Sequence, residues 1–190
     1  EHIPWTSAAV IPDAVACMYN AIKVQGKVKA GDKVLLAGMG ALGVQGIQIA
    51  KYLGAKVYAS GRTEAKLELA LKFGADGTIN VREKNLQEEI ARLTDGELCD
   101  VVVDLIGTDS SIDEELRCLR PGGKVIVAAY ATDTFTVNYQ EVVIKEKEII
   151  GLRGSSPQAL KEAIALVEKG IIDPYVCKTW KLEEVNEAIA

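Results

Sequence analysis

A chain of 190 residues with 48% apolar and 26% charged side chains can bury one ordinary core, which excludes wholesale disorder. A formal net charge of −5 argues against nucleic acid or an anionic membrane surface as the main partner. No apolar run approaches the ~18 residues of a membrane-spanning helix, and the opening EHIPWTSAAV lacks the basic and apolar regions of a signal peptide.

Residues 1–24, with the stretch AAVIPDAVACMYNAIKV, form an apolar, helix-like lead-in. From Gly31 onward two patterns alternate. Short β-branched runs predict buried strands at 33–37, 56–60, 77–80, 100–106, 124–130 and 148–154. Amphipathic stretches predict helices at 41–53, 63–73, 85–94, 110–119 and 157–169. Strands that are apolar throughout are covered on both faces. Strand and helix recurring every roughly 20 to 25 residues predict an α/β fold: a doubly wound parallel sheet (Rossmann fold) of about six strands, with helices on both faces.

Turn residues mark the boundaries. Gly54 and Gly74 are placed to end helices, Thr63 to begin one, and Pro157 with Ser155 or Ser156 to begin another. RPGG at 120–123 predicts a turn into the fifth strand. The division expected is a lead-in over 1–24 and one α/β domain over 25–190. The chain ends inside a further helix start, KLEEVNEAIA, so both ends read as parts of something larger.

Cys17, Cys99, Cys118 and Cys177 are widely spaced with no C-x-x-C pair, so no zinc finger or ribbon is encoded. They read as free, mostly buried thiols of a cytoplasmic protein. His2, the single histidine, sits in a terminus with no evident role.

The first predicted strand runs directly into Gly38-Met39-Gly40-Ala41-Leu42-Gly43, and a helix follows. That context is what a G-x-G-x-x-G turn needs to hold a pyrophosphate. Gly38 would allow the sharp turn, Gly40 the close approach of the ligand, and Gly43 tight helix–strand packing. The anion would meet free N–H groups at the positive end of the helix. A glycine-rich packing turn serving another ligand is the alternative.

At the end of the second strand an Asp or Glu would bond the adenosine ribose of NAD. Here stand Ser60, Gly61 and Arg62, and the first acid is Glu64, inside the next helix. Missing repulsion and a nearby guanidinium favour the 2′-phosphate of NADP, with Lys66 as a second cation. Alternatively Arg62 is a solvated surface residue and NAD binds.

Five stretches, GDKVLLAGMGALGVQGIQIAKYLGAKV, KFGADGTIN, DVVVDLIG, LRPGGKVIV and EKGIIDP, together resemble the cofactor-binding half of the medium-chain dehydrogenase/reductase family, in its zinc-type alcohol dehydrogenase branch. The likeness covers the chain from about Ala8 to the end. It implies an oxidoreductase that moves hydride between NADP(H) or NAD(H) and a small alcohol or carbonyl substrate. It places Ala41 and Leu42 beside the pyrophosphate and Ile106, Gly107 and Thr108 near the adenosine. Val127, Ala128 and Ala129 would border the nicotinamide, and Arg153 would reach the cofactor. For the apolar positions plain strand core is the competing reading. The resemblance further implies a homo-oligomer joined through the sheet edge.

The family's zinc is held mostly by a separate domain, so the chain by itself is expected to bind cofactor without turnover and no catalytic residue is assigned to it. One ligand position falls on Asp13, six residues before Tyr19. An Asp can ligate zinc, but one carboxylate makes only part of a tetrahedral site, and a helix N-cap after Pro12 is the other reading. Two rivals stay open: a zinc-independent enoyl, quinone or acyl-CoA reductase of the same family, and a non-catalytic nucleotide-binding or oligomerisation module.

Overall fold

A computed structural model describes residues 3–189, so His2 lies outside the described residues. Six strands form one sheet: β1 (Lys33–Ala37), β2 (Lys56–Gly61), β3 (Gly77–Asn80), β4 (Cys99–Asp104), β5 (Leu119–Val127) and β6 (Glu148–Gly151). Every pairing is parallel, in the order β3-β2-β1-β4-β5-β6. Helices provide the crossovers: α3 (Ala41–Tyr52), α4 (Glu64–Lys72), α5 (Leu86–Leu93), α6 (Ser111–Arg117), the short α7 (Tyr139–Val143) and α8 (Pro157–Glu168). The chain winds from β1 out to β3, then returns to place β4 against the other side of β1. Neighbouring crossovers therefore depart to opposite faces, and a crevice opens beyond the C-terminal ends of β1 and β4.

Side-chain alternation along the strands divides the core in two. Val34, Leu36, Val57, Ala59, Val101, Val103 and Ile126 pack against α3, α4 and α8. Leu35, Ala37, Tyr58, Ile79, Val102 and Val125 face α5 and α6. The doubly wound sheet expected from the sequence is thus the one observed.

Residues 11–25 run as one helical segment in which α2 (Ala16–Tyr19) is flanked by wider turns at Ile11–Val15 and Asn20–Gln25, after a short α1 (Trp5–Ala8). Two five-residue bonds mark the wider turns, Val15 N–H to Val10 O (3.4 Å) and Gly26 N–H to Ala21 O (2.8 Å). Ile11, Val15, Met18 and Ile22 are buried in the same core as α3 and α8. Tyr19 donates to Glu162 of α8, and Asn20 Nδ2 donates to Gly154 O at 2.9 Å. The lead-in is therefore part of this core, whatever else it joins.

Boundaries differ from expectation in identifiable places. β4 ends at Asp104 rather than 106 because the Asp104 carboxylate captures the next amides. β5 begins at Leu119, ahead of RPGG, and stops at Val127 instead of continuing to 130. Cys99 pairs with Leu119 and Val101 with Lys124, so residues 120–123 bulge out of the ladder. Arg120 Nε pins that bulge to Asp100 at 2.6 Å. β6 ends at Gly151, three residues short. Thr63 stands at the start of α4 but its side chain caps nothing, whereas Ser156 Oγ accepts from Ala159 N–H at 3.1 Å. α7 was not foreseen, being too short to show a period. Cys17, Cys99 and Cys118 are buried and Cys177 is exposed, all four as free thiols. Among the described residues no helix is long and apolar enough to cross a membrane.

Gly43 decides how closely α3 lies on β1. A Cβ there would overlap Gly38 O and come within 2.6 Å of Met39 Cε. Gly43→Ala should therefore destabilise the protein by about 1–3 kcal/mol, the usual cost of overpacking. Thermal and urea melts measure it, and an unchanged midpoint would refute the close approach.

Candidate functional site

The crevice at the reversal of strand order is a cleft of about 650 Å³. That lies within the range of small-molecule sites. Its floor is the turn between β1 and α3. Gly38 has φ +110°, a conformation that a side chain would strain. Its N–H donates to Ser60 O at 3.0 Å, tying the ends of β1 and β2 together. Gly40 is the N-cap of α3 in extended backbone, with no side-chain cap bond. An added Cβ at Gly40 would meet nothing within 4 Å, so the space over the turn is open. A twelve-residue helix thus begins uncapped at an open space, which suits a pyrophosphate by hydrogen bonding and by the helix dipole.

One wall comes from the end of β2: Ser60, Gly61, Arg62 and Thr63, with Lys66 from α4. Arg62 and Lys66 are exposed, and among the described residues neither forms an ion pair. The nearest acid in sequence is otherwise engaged: Glu64 Oε1 accepts from Asn80 Nδ2 at 2.6 Å. The wall beside the second strand therefore carries two cations that no carboxylate of the described residues pairs with directly.

The opposite wall is the loop after β4 and the start of α6: Leu105, Ile106, Thr108, Ser110, Ser111 and Glu114, with Val81 and Ala131 at the margins. Two local bonding sets shape this loop. Buried Asp104 accepts from Ile106 N–H at 2.8 Å and Gly107 N–H at 3.0 Å. Ser111 Oγ accepts from Thr108 N–H at 3.1 Å and donates to Thr108 O at 2.9 Å. Ile106 is left 40% exposed, an apolar surface for a flat ring to lie on.

Of the residues singled out from sequence, Gly38, Gly40, Ser60, Gly61, Arg62, Lys66, Ile106 and Thr108 line this one cleft. Ala41 and Leu42 form the first turn of α3 beside it, and Gly43 packs beneath it. Gly107 bends the loop from behind. Val127 ends β5, and Ala128 and Ala129 follow it, half-buried, outside the cleft lining. Ala128 N–H bonds Asp104 O at 3.0 Å, which puts this stretch beside the β4 end. Arg153, beyond β6, is exposed and apart from the lining. Sequence reasoning missed Met39, Thr63, Val81, Leu105, Ser110, Ser111, Glu114 and Ala131. Val81 could have been found as the residue just past β3. Glu114 had no signal, because only the rotation of α6 turns it toward the cleft.

The residues present do not fit a zinc ion. Among the described residues no group of three or more His, Cys, Asp or Glu side chains converges. Asp13 is exposed inside the helical segment, whose cap is Val10, so it is not the N-cap either. Burial, then the nearby Asp13 carboxylate, push the Cys17 thiol up, which keeps it protonated and a poor ligand.

Gly40→Val would put a branched side chain into the open space over the turn while touching no packed atom. The variant should melt like the parent and lose nucleotide binding by calorimetry, and normal binding would show that the phosphate site has been misplaced.

Residues 41–169 match the zinc-binding dehydrogenase family. D-arabitol-phosphate dehydrogenase of Enterococcus avium is 30% identical over 193 residues, covering 99% of this chain and 54% of that protein. Acryloyl-coenzyme A reductase of Sulfurisphaera tokodaii is 26% identical over 187 residues, covering 97% and 54%. The structure of acetophenone reductase from Geotrichum candidum in complex with NAD superposes with a TM-score of 0.87 at 28% identity, over 100% of this chain and 52% of that one. The chain spans about half the length of these relatives. With its glycine turn at the reversal of a six-stranded parallel sheet, the chain belongs to the zinc-binding dehydrogenase family and is its nicotinamide-dinucleotide-binding domain.

Proposed function

We propose that this domain serves an alcohol dehydrogenase that prefers NADP(H) to NAD(H). The observation that carries the preference is the wall at the end of β2, where Arg62 and Lys66 line the cleft and Glu64, bonded to Asn80, does not. The turn at Gly38–Gly43 binds the pyrophosphate, and Ile106 and Val81 flank the adenine. Arg62 and Lys66 hold the 2′-phosphate through charge-assisted bonds. Val127, Ala128 and Ala129 border the nicotinamide half, which lies along the ends of β4 and β5. When bound, the cofactor supplies hydride exchange at its nicotinamide ring. The chain's own part is to bind and orient it. Zinc, the alcohol or carbonyl substrate and the proton path belong to residues outside this chain. Assembly through the open edge of β6 is the proposed oligomer contact.

A second reading, a zinc-independent enoyl or acyl-CoA reductase, is favoured by Asp13 in place of Cys at the one ligand position within the chain and by the acryloyl-coenzyme A reductase relative. The NAD bound in the acetophenone reductase relative, and the Glu114 carboxylate at the cleft mouth, argue for NAD instead of NADP.

Fluorescence titrations separate these readings. Arg62→Ala should weaken NADPH on the order of tenfold, the loss of one charge-assisted contact, and spare NADH. Equal losses, or tighter NADH binding by the parent, would overturn the NADP assignment. Metal analysis of the protein with its catalytic domain should find zinc bound at a ratio near one per site, and its absence there would favour the enoyl or acyl-CoA reading.

A further inference from the structure

One buried group takes no part in the site so far described. Glu115 of α6 is 1% exposed, and neither of its carboxyl oxygens meets a hydrogen-bond donor among the described residues. An ionised carboxylate left so would be costly. Its neighbour across the helix–sheet contact is Asp104, wholly buried at the end of β4. Asp104 already accepts the Ile106 and Gly107 amides. Two charges could not be held there together, but one proton between them satisfies both.

We propose that Glu115 is a positioning residue of the dinucleotide cleft: as a neutral acid it donates its O–H to Asp104, which holds the turn whose Ile106 and Thr108 line the cleft. The proton acts as a pin. The Ile106 and Gly107 amides already reach Asp104 Oδ1, and the Gly107 amide also reaches Oδ2 at 3.2 Å, so the shared proton adds to these bonds without displacing one. Burial first, then the Asp104 carboxylate, push the Glu115 carboxyl well above the ordinary range, in agreement with this geometry.

Among the described residues no cation competes for the pair. Glu114 on the same helix adds negative charge, and the Cys118 thiol, pushed up to about 12 chiefly by burial, stays protonated. Lys147, before β6, is occupied by Leu116 O and by Glu141 at 2.7 Å. From α5 the packed groups are Leu86 and Ile90, while Glu89 pairs with Lys84 and Arg92. From β5, Leu119 and Val125 face this core, and Lys124 pairs with Glu148 at 2.8 Å. Glu141 of α7 is paired with Lys145 and Lys147.

The sign of the pH effect follows. A carboxyl whose folded-state pKa is raised contributes fully below its unfolded value and loses that contribution as pH rises toward the folded value. Ionisation of Glu115 would set two carboxylates against each other and release the Ile106–Gly107 turn.

The test compares the parent protein with Glu115→Gln, whose amide keeps an N–H donor without a titrating proton, and Glu115→Ala, which has no donor. Amide exchange at Ile106 and Gly107, read by NMR without nucleotide, reports the turn itself. Titrations with NADPH and NADH from neutral to alkaline pH report the cleft. In the parent both amides should lose protection as pH rises, and dissociation constants should grow by up to about tenfold per pH unit, the limit for one linked proton. Glu115→Gln should be protected and tight across that range, and should melt higher than the parent at alkaline pH. Glu115→Ala should be unprotected and weak at every pH. The proposal is overturned if Glu115→Gln keeps the parent's pH profile, or if Glu115→Ala matches the parent at neutral pH. Because amide exchange and melting need no ligand, they judge the carboxyl pair even if the nucleotide assignment fails. The Gln-to-parent comparison decides the matter should Glu115→Ala not fold.

Discussion

The contact of Gly43 with the backbone of Gly38 sets the distance between the first crossover helix and the central strand. A side chain at Gly43 would lift the start of α3 off β1, and the uncapped helix end would no longer sit over the crevice. Everything that binds depends on this. The positive helix end, the open space above Gly40 and the tie from Gly38 to Ser60 all lie within one turn of chain. The packing constraint and the binding constraint are met by different glycines of the same motif, so the two can be separated by mutation.

The two walls of the cleft are built by different physics. The β2 side is electrostatic: Arg62 and Lys66 line the cleft without an ion-pair partner among the described residues, and Glu64 bonds Asn80. Exposed charges of this kind are screened by salt and are worth most when a ligand displaces the water around them. The β4 side is covalently short and hydrogen-bonded. Asp104 and Ser111 hold the loop from beneath, and the side chains they present are apolar or neutral apart from Glu114. One wall therefore offers cations and the other a short apolar and neutral surface. A proton buried between Asp104 and Glu115 would link the second wall to pH, although neither of these two carboxyls lines the cleft.

The lead-in is packed on one side only. Met18 and Ile22 are fully buried against α3 and α8, yet Trp5 is 90% exposed and Asp13 faces solvent. The apolar face that packs here is satisfied.

The sequence by itself determined the layered fold. β-Branched runs with no polar face can only be strands covered on both sides, and the spacing between them leaves room for helical crossovers. The glycine turn was legible for the same local reason, since strand, G-x-G-x-x-G and helix are contiguous in the chain. So were the Ser156 cap and the free thiols. Tertiary structure alone decided which distant residues share the cleft. Glu114 and Glu115 are adjacent in sequence, but the rotation of α6 turns one to the cleft mouth and the other into the core against Asp104. It also decided that Glu64 is spent on Asn80, that RPGG bulges within β5, and that Asp13 stands with no converging ligands. Periodicity reports which face of an element is apolar. It does not report the angle at which two elements meet, and that angle sets every contact between side chains far apart in the chain.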